Sequence, residues 1–243
     1  MFKKIAISSL VFAGSLFSAD VFVAAAANVS NPIKELEVEF KKKHPGVSLE
    51  INFGASGKFN AQIKEGASYD VFLSADMAKA QDLEASGQAV TKTIKYAVGK
   101  VAVFSKKGIK SLEEVANRDC ISIANPATAP YGEASVAALK KANLWEKVEK
   151  KVVQADSISG VTTAALEACD VGFMAGSAVY ADKLKGYKEG EHYFFLDASL
   201  HAPIEQGIVL LKHGENNEKA KSFYDFILSA EAKAVFARFG YGQ

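Results

Sequence analysis

The sequence predicts an α/β protein of two lobes, each built on a mostly parallel sheet flanked by helices. Strand, short polar turn and helix follow one another four times along the chain. Two extended stretches without helical periodicity separate these units, a pattern that indicates strands crossing between two lobes. Because strands that alternate with helices favour parallel sheets covered on both faces, we expect a cleft between two such lobes.

Residues 1–19 precede the first unit and have the pattern of a secretory signal peptide. Lys3 and Lys4 give it a basic start, residues 5–17 are an apolar stretch, and Ser18 and Ala19 end it with small side chains. A buried N-terminal helix is the alternative. No later stretch approaches the roughly 18 apolar residues that a membrane span needs. We therefore expect an exported protein that is soluble after cleavage.

The charge balance argues against some classes of partner. The chain has 29 Lys and Arg against 28 Asp and Glu, and without Lys3 and Lys4 the basic count falls to 27. A nearly neutral protein is a poor match for nucleic acid or an anionic membrane. The four histidines lie in separate polar segments and lack the spacing of metal ligands.

The first lobe is predicted from the first two units. Each unit has a strand, a turn of small or polar residues, and a helix with apolar residues at helical spacing. In the first helix we expect Asn31 as N-cap and Pro32 in the first helical position. The predicted segments are strand 21–26, turn 27–31 and its helix, then strand 47–53, turn 54–57 and helix 58–65, leading into the strand of YDVFLSAD.

The second lobe is predicted from the other two units, and the extended stretches connect it to the first. The C-terminal segment 217–239 returns as helices on the first lobe. The second-lobe segments are strand CISIAN, loop 126–132 and helix 133–142, then strand 151–154, turn 156–160 and helix 161–168, followed by strand DVGFMAG. The extended stretches are 95–107 and 202–214. The predicted domains are then a signal peptide at 1–19, lobe 1 at 20–98 and 206–243, and lobe 2 at 99–205.

The two cysteines each border a predicted strand. Cys120 opens CISIAN, and Cys169 precedes DVGFM. An exported protein can keep a disulfide, and an even cysteine count permits one. If the two strands are neighbours, a bridge is geometrically possible, whereas two separate buried thiols are the alternative.

The four turns lie at the carboxyl ends of strands, where open α/β sheets bind ligands. Each turn leads into a helix N-terminus, which has unpaired N–H groups and a partial positive charge that can hold an anion. In any one turn taken alone, capping of the helix explains a Ser or Asn more simply than ligand binding does. Lys58 is the one basic residue beside these turns. We expect it to be a solvated surface residue, although contact with the anion is the alternative. The four turns together predict an oxyanion held by neutral donors.

Several segments resemble one protein family over nearly all of the chain after the leader. They are VFVAAAANVSNPIKEL, INFGASGKFNAQIKEGASYDVFLSAD, NPATAPYGEASVAALKK and SFYDFILSAEAKAVFARFGY. In these segments the chain resembles the periplasmic molybdate-binding proteins of ABC importers. The resemblance implies a monomer with the type II periplasmic-binding-protein fold and an inner-membrane ABC permease as partner. It also implies molybdate or tungstate held by hydrogen bonds alone, with no cofactor and no bond from protein to molybdenum.

The resemblance assigns four binding residues. Asn28 would donate through its backbone N–H and side-chain amide, and Ser56 through its hydroxyl and N–H. Tyr131 and Ile158 would each donate a backbone N–H. Where some members of the family supply a tyrosine hydroxyl, this chain has Ala175, so a neighbouring group or water must replace that donor. Further cleft residues expected from the turns are Ala27, Gly57, Ser157 and Ser159.

Other functions remain open at this point. The ligand could be another tetrahedral oxyanion, such as sulfate or phosphate. A secreted serine hydrolase could be assembled from Ser56, His201 and Asp156, but no nucleophile-elbow sequence surrounds Ser56. A ferric-ion carrier would need a tyrosine pair, and Phe194 and Phe195 follow Tyr193 where a pair would stand. An adhesive or structural domain would not need four donor-bearing turns. We expect a binding protein and not an enzyme.

Overall fold

The computed structural model describes residues 19–243, so the predicted leader lies outside the described residues except for Ala19. Within this range, two five-stranded sheets are flanked by α-helices. The strands are β1 (Val21–Ala26), β2 (Leu49–Gly54), β3 (Val71–Leu73), β4 (Ile94–Gly99), β5 (Val101–Phe104), β6 (Ile121–Ala124), β7 (Val152–Ala155), β8 (Val171–Ala175), β9 (Tyr193–Phe195) and β10 (Ile204–Leu210). The α-helices are α1 (Ser30–Lys43), α2 (Ser56–Lys64), α3 (Met77–Ala85), α4 (Pro130–Lys141), α5 (Trp145–Val148), α6 (Ile158–Glu167), α7 (Glu218–Leu228) and α8 (Ala230–Arg238). None of these helices has both the length and the apolar character of a membrane span.

The first sheet has the strand order β2-β1-β3-β10-β4. Strand β1 runs parallel to β2 and β3, and β10 runs antiparallel to β3 and β4. Val23 and Ala25 pack in a core with α1, α7 and α8, whereas Ala24 packs in a smaller core with α2 and α3. Because helices cover both faces, β1 is almost continuously apolar and does not alternate.

The second sheet has the strand order β7-β6-β8-β5-β9. Strand β6 is parallel to β7 and β8, and β5 is antiparallel to β8 and β9. One core cluster joins this sheet to α4 and α6, with Phe104, Phe173 and Leu139 fully buried in it.

The chain crosses between the sheets twice. Strand β4 ends at Gly99 in the first sheet, and β5 begins at Val101 in the second, so only Lys100 separates them. Strand β10 then returns the chain to the first sheet, although the stretch predicted at 202–214 is a strand only to Leu210 and ends in a 3-10 helix, Lys212–Gly214. The predicted two-lobed fold with two crossing strands is confirmed. The lobe boundaries stay a prediction.

A disulfide links Cys120 to Cys169, whose Cα atoms are 4.8 Å apart. The strands that follow them, β6 and β8, are neighbours that pair Ile121 with Val171. The bridge therefore lies at the amino ends of these strands, away from the turns at their carboxyl ends, and the alternative of two separate thiols does not hold in the structure.

The helices begin earlier than the sequence predicted, and the predicted cap of the first helix is wrong. Helices α2, α4 and α6 start two or three residues before positions 58, 133 and 161. A 3-10 helix, Ala27–Val29, precedes α1, so Val29 is its N-cap and Asn31 lies inside the helix. The small residues of the turns adopt helical geometry at once, and α2 and α4 begin without any side-chain cap. The turn residues thus become the first turns of helices.

Candidate functional site

The turns after β1, β2, β6 and β7 meet at one small cavity between the two sheets. Asn28, Ser56, Tyr131 and Ile158 all line it, so the structure brings the four predicted binding residues together. The other lining residues are five alanines, a glycine and a proline. No side chain in this described lining is charged, and the small ones let a ligand approach the backbone closely.

The backbone supplies donors to this cavity because of where each residue lies in its helix. Ser56 is the first residue of α2, Ile158 the first of α6, and Tyr131 the second of α4. Asn28 is the middle residue of the 3-10 helix Ala27–Val29. A helix has no acceptor for the N–H groups of its first turn, and the helix dipole makes that end partly positive. Residues that carry four such N–H groups therefore line the cavity from both lobes.

Ser56 adds a hydroxyl to these N–H groups. Its side chain is buried, and its Oγ accepts a hydrogen bond from the Ala75 N–H at 2.9 Å. A hydroxyl has one hydrogen and two lone pairs, so this contact fixes the oxygen and leaves the hydrogen to donate. The role of Ser56 as a donor to the ligand stays a prediction.

Asn28 differs from the prediction in its side chain. Its Nδ2 donates to Gln206 Oε1 at 2.8 Å and to Tyr241 Oη at 2.9 Å. An amide nitrogen carries two hydrogens, so both are engaged within the protein and the predicted side-chain donation to a ligand is not available in this arrangement. The backbone N–H remains as the donor of Asn28 to the cavity.

Two of the other predicted cleft residues join the lobes and do not point donors at the cavity. The Ser159 hydroxyl donates to the Ala27 carbonyl oxygen at 3.1 Å, and the Gly57 N–H donates to the Thr128 carbonyl oxygen at 2.9 Å. A Cβ on Gly57 would lie 3.0 Å from the Thr128 backbone, so any other residue would require this backbone to shift. These bonds connect the two sides of the cleft.

The remaining residues near the turns have structural roles. Ser157 caps α6 by accepting from the Gly160 N–H at 3.4 Å. Ala175 lines a neighbouring cavity of about 50 Å³ and not the one between the four turns. Lys58 Nζ lies 3.1 Å from Asp156 Oδ1, and both side chains are exposed, which agrees with a solvated surface lysine.

The side chains that a hydrolase would need do not form a catalytic group. Ser56 accepts from Ala75, His201 Nδ1 lies 2.7 Å from the Ala202 carbonyl oxygen, and Asp156 pairs with Lys58. No hydrogen bond joins Ser56, His201 and Asp156. Between residues 19 and 243, no cluster of three His, Cys, Asp or Glu side chains is placed to hold a metal ion.

Sequence reasoning missed the buried residues behind Asn28, namely Gln206, Tyr96 and Tyr241. Gln206 is fully buried in strand β10, whose other residues are apolar or glycine apart from the exposed Glu205. A polar residue in such a strand is the one sequence signal that could have marked it. Burial raises the pKa of Tyr241 to about 12 and places the pKa values of Tyr96 and Tyr131 well above the usual range. All these groups are therefore neutral at ordinary pH.

Comparisons with known proteins agree on one family. The family model for bacterial extracellular solute-binding proteins matches residues 21–242. The molybdate-binding protein ModA of Rhodobacter capsulatus is 35% identical, over 91% of this chain and 88% of its own. ModA of Azotobacter vinelandii is 34% identical, over 98% of this chain and 96% of its own. The solved Azotobacter vinelandii periplasmic molybdate-binding protein superposes with a TM-score of 0.84 at 29% identity, covering 92% of this chain and 99% of that one.

Proposed function

This chain belongs to the molybdate-binding proteins among the bacterial extracellular solute-binding proteins, and we propose that it captures molybdate in the cavity between its lobes. One observation carries the proposal. Four residues from the first turns of helices in two lobes, Ser56 among them, line one small cavity whose described lining has no charged side chain. The names of the similar proteins support molybdate as the ligand.

The ligand is held by neutral hydrogen bonds. A dianion loses its hydration on entering such a cavity, and several charge-assisted hydrogen bonds are needed to offset that loss. We assign these bonds to the backbone N–H groups of Asn28, Ser56, Tyr131 and Ile158 and to the Ser56 hydroxyl. Lys58 stays outside, because it pairs with Asp156 at the exposed rim of the cleft.

Binding is coupled to closure of the cleft. Asn28 and Ser56 follow strands of the first sheet, whereas Tyr131 and Ile158 follow strands of the second. An anion that contacts all four favours the closed form, which already has the Ser159–Ala27 bond across the cleft. The closed monomer then presents both lobes to an ABC permease of the inner membrane. This places the protein in the periplasm after removal of its signal peptide.

Cavity size decides which oxyanion is selected. Molybdate, tungstate and sulfate share a charge and a tetrahedral shape, so donors alone cannot separate them. The cavity is bounded by backbone and small side chains, which cannot shrink around a smaller anion without moving the lobes. We therefore propose that tungstate binds as well as molybdate does, and that sulfate and phosphate bind weakly. The ligand leaves unchanged, since no catalytic group faces it.

Titration calorimetry with molybdate, tungstate, sulfate and phosphate tests this function. The expected result is tight binding of one molybdate or tungstate per chain and weak binding of the other two anions. Tightest binding of sulfate or phosphate would assign the cavity to that anion. Absence of binding by all four would refute the proposal.

A further inference from the structure

A buried hydrogen-bond network lies behind Asn28. Tyr241 Oη donates to the Asn28 carbonyl oxygen at 2.8 Å and accepts from Asn28 Nδ2 at 2.9 Å. Gln206 Oε1 accepts from the same Nδ2 at 2.8 Å and from the Tyr96 hydroxyl at 2.8 Å. Asn28 is thus held at its carbonyl and at its side chain by residues that are more than 170 positions away in sequence.

The network joins the crossing strands to the C-terminal end of the chain. Tyr241 is the third residue from the C-terminus, and the next residue, Gly242, exchanges two backbone hydrogen bonds with Val98 of β4 at 2.8 and 2.9 Å. Gln206 lies in β10, the other strand that connects the lobes. Its Nε2 donates to the Tyr131 hydroxyl over a long 3.4 Å. The same elements that meet at the crossing between lobes therefore fix Asn28.

The contacts of Tyr241 restrict the backbone that carries a predicted donor. The Asn28 carbonyl receives one hydrogen bond from Tyr241 and a second from the Ser177 hydroxyl at 2.7 Å. Its carbonyl oxygen and its side-chain Nδ2 each take part in two hydrogen bonds, whereas its buried Oδ1 has no partner in the protein. Asn28 cannot rotate without breaking these four bonds, which is costly. These bonds fix the residue on one side of the Asn28 N–H, and the Ser159 bond to the Ala27 carbonyl fixes the peptide unit that carries this N–H. The N–H is thus held before any ligand arrives, and a preorganised donor binds more tightly than a mobile one.

We propose that Gln206 and Tyr241 are positioning residues of the anion site, which act through Asn28 without touching the anion. This inference rests on the proposed function. It gives the C-terminal residues of the chain a part in ligand binding, although they lie outside the four turns. Because the groups are neutral at ordinary pH, the effect on affinity should not depend on pH between about 5 and 9.

The test uses the variants Tyr241→Phe and Gln206→Leu, each made in the natural chain and in Asn28→Ala. Molybdate affinity is measured by calorimetry, and circular dichroism checks folding. In the natural chain each variant should bind about three- to tenfold more weakly, the scale of one hydrogen bond. Tyr224→Phe is the matched control, because it removes one hydroxyl oxygen from the same core cluster and should leave affinity unchanged.

The Asn28→Ala background separates positioning from a general loss of structure. Gln206 reaches Asn28 only through the amide, so Gln206→Leu should then change affinity less than about twofold. In Asn28→Ala, Tyr241→Phe should reduce the binding free energy by about half as much as it does in the natural chain, because the bond from Tyr241 to the carbonyl of residue 28 is still there to lose. If Gln206→Leu fails to fold, Tyr241→Phe alone decides the question.

Two results would overturn the inference while leaving the proposed function intact. One is unchanged molybdate affinity in Tyr241→Phe, and the other is an equal loss in the natural chain and in Asn28→Ala. If the natural chain binds none of the tetrahedral oxyanions, the proposed function fails and this inference fails with it.

Discussion

Replacing Ser56 by alanine should weaken molybdate binding strongly, because it deletes the one side-chain donor that faces the cavity. The Ser56 oxygen accepts from the Ala75 N–H, so its hydrogen is the part that a ligand can use. A hydrogen bond to a charged partner is worth about 1.5–3 kcal/mol. The dissociation constant should therefore rise about 10- to 150-fold, measured by calorimetry at fixed pH and salt.

The same substitution should also lower stability by a separate route. Without the serine oxygen, the Ala75 N–H is left buried without its acceptor, at a cost of about 1–3 kcal/mol. That cost is present with and without ligand, so it appears in the free energy of unfolding and cancels from the affinity. Denaturant unfolding without molybdate measures the second effect, and calorimetry measures the first.

Ser122→Ala provides the matched control for Ser56→Ala. Ser122 is a fully buried serine of β6 whose hydroxyl has no hydrogen-bond partner. Its removal should leave the molybdate affinity unchanged and should not lower stability. The reasoning about Ser56 is refuted if Ser56→Ala binds molybdate as tightly as the natural chain does. A loss of affinity equal in both variants would show that the effect does not come from the donor.

Three further changes have distinct expected results. Gly57→Ala should weaken molybdate binding in calorimetry, because its Cβ would meet the backbone across the cleft at 3.0 Å and keep the lobes apart; unchanged affinity would show that the cleft tolerates this displacement. Ser157→Asp should harm binding more than Lys58→Met does, and the opposite order would mean that a cation holds the anion. Reducing the bond between Cys120 and Cys169, 49 positions apart, should lower the unfolding free energy by about 4 kcal/mol and leave affinity unchanged; an affinity loss would contradict its distance from the site.

The sequence predicted the fold and the grouping of site residues because both depend on local patterns. Apolar runs followed by turns of small residues mark buried strands and their carboxyl ends, and those ends meet wherever the strands are neighbours. This pattern, together with the family resemblance, predicted four binding residues that all line one cavity, namely Asn28, Ser56, Tyr131 and Ile158. Their ligand contacts stay a prediction.

The remaining features depend on contacts between distant segments, which local patterns do not reveal. The Asn31 cap was wrong because the 3-10 helix Ala27–Val29 begins before it and needs no side-chain cap. The side chain of Asn28 was assigned to the ligand, but Gln206 and Tyr241 compete for it from far along the chain. Nothing near Asn28 in the sequence indicates that competition.

In the proposed mechanism, closure of the cleft and placement of the donors are coupled. The Ala27 carbonyl that accepts from Ser159 belongs to the same peptide unit as the Asn28 N–H, and Gly57, which bonds across the cleft, follows Ser56 directly. A planar peptide turns as one unit, so the contact with the second lobe also orients a donor of the first. Apparent affinity is the intrinsic affinity reduced by the fraction of closed molecules. A substitution that weakens only these cross-cleft bonds must therefore weaken binding, even though it touches no ligand.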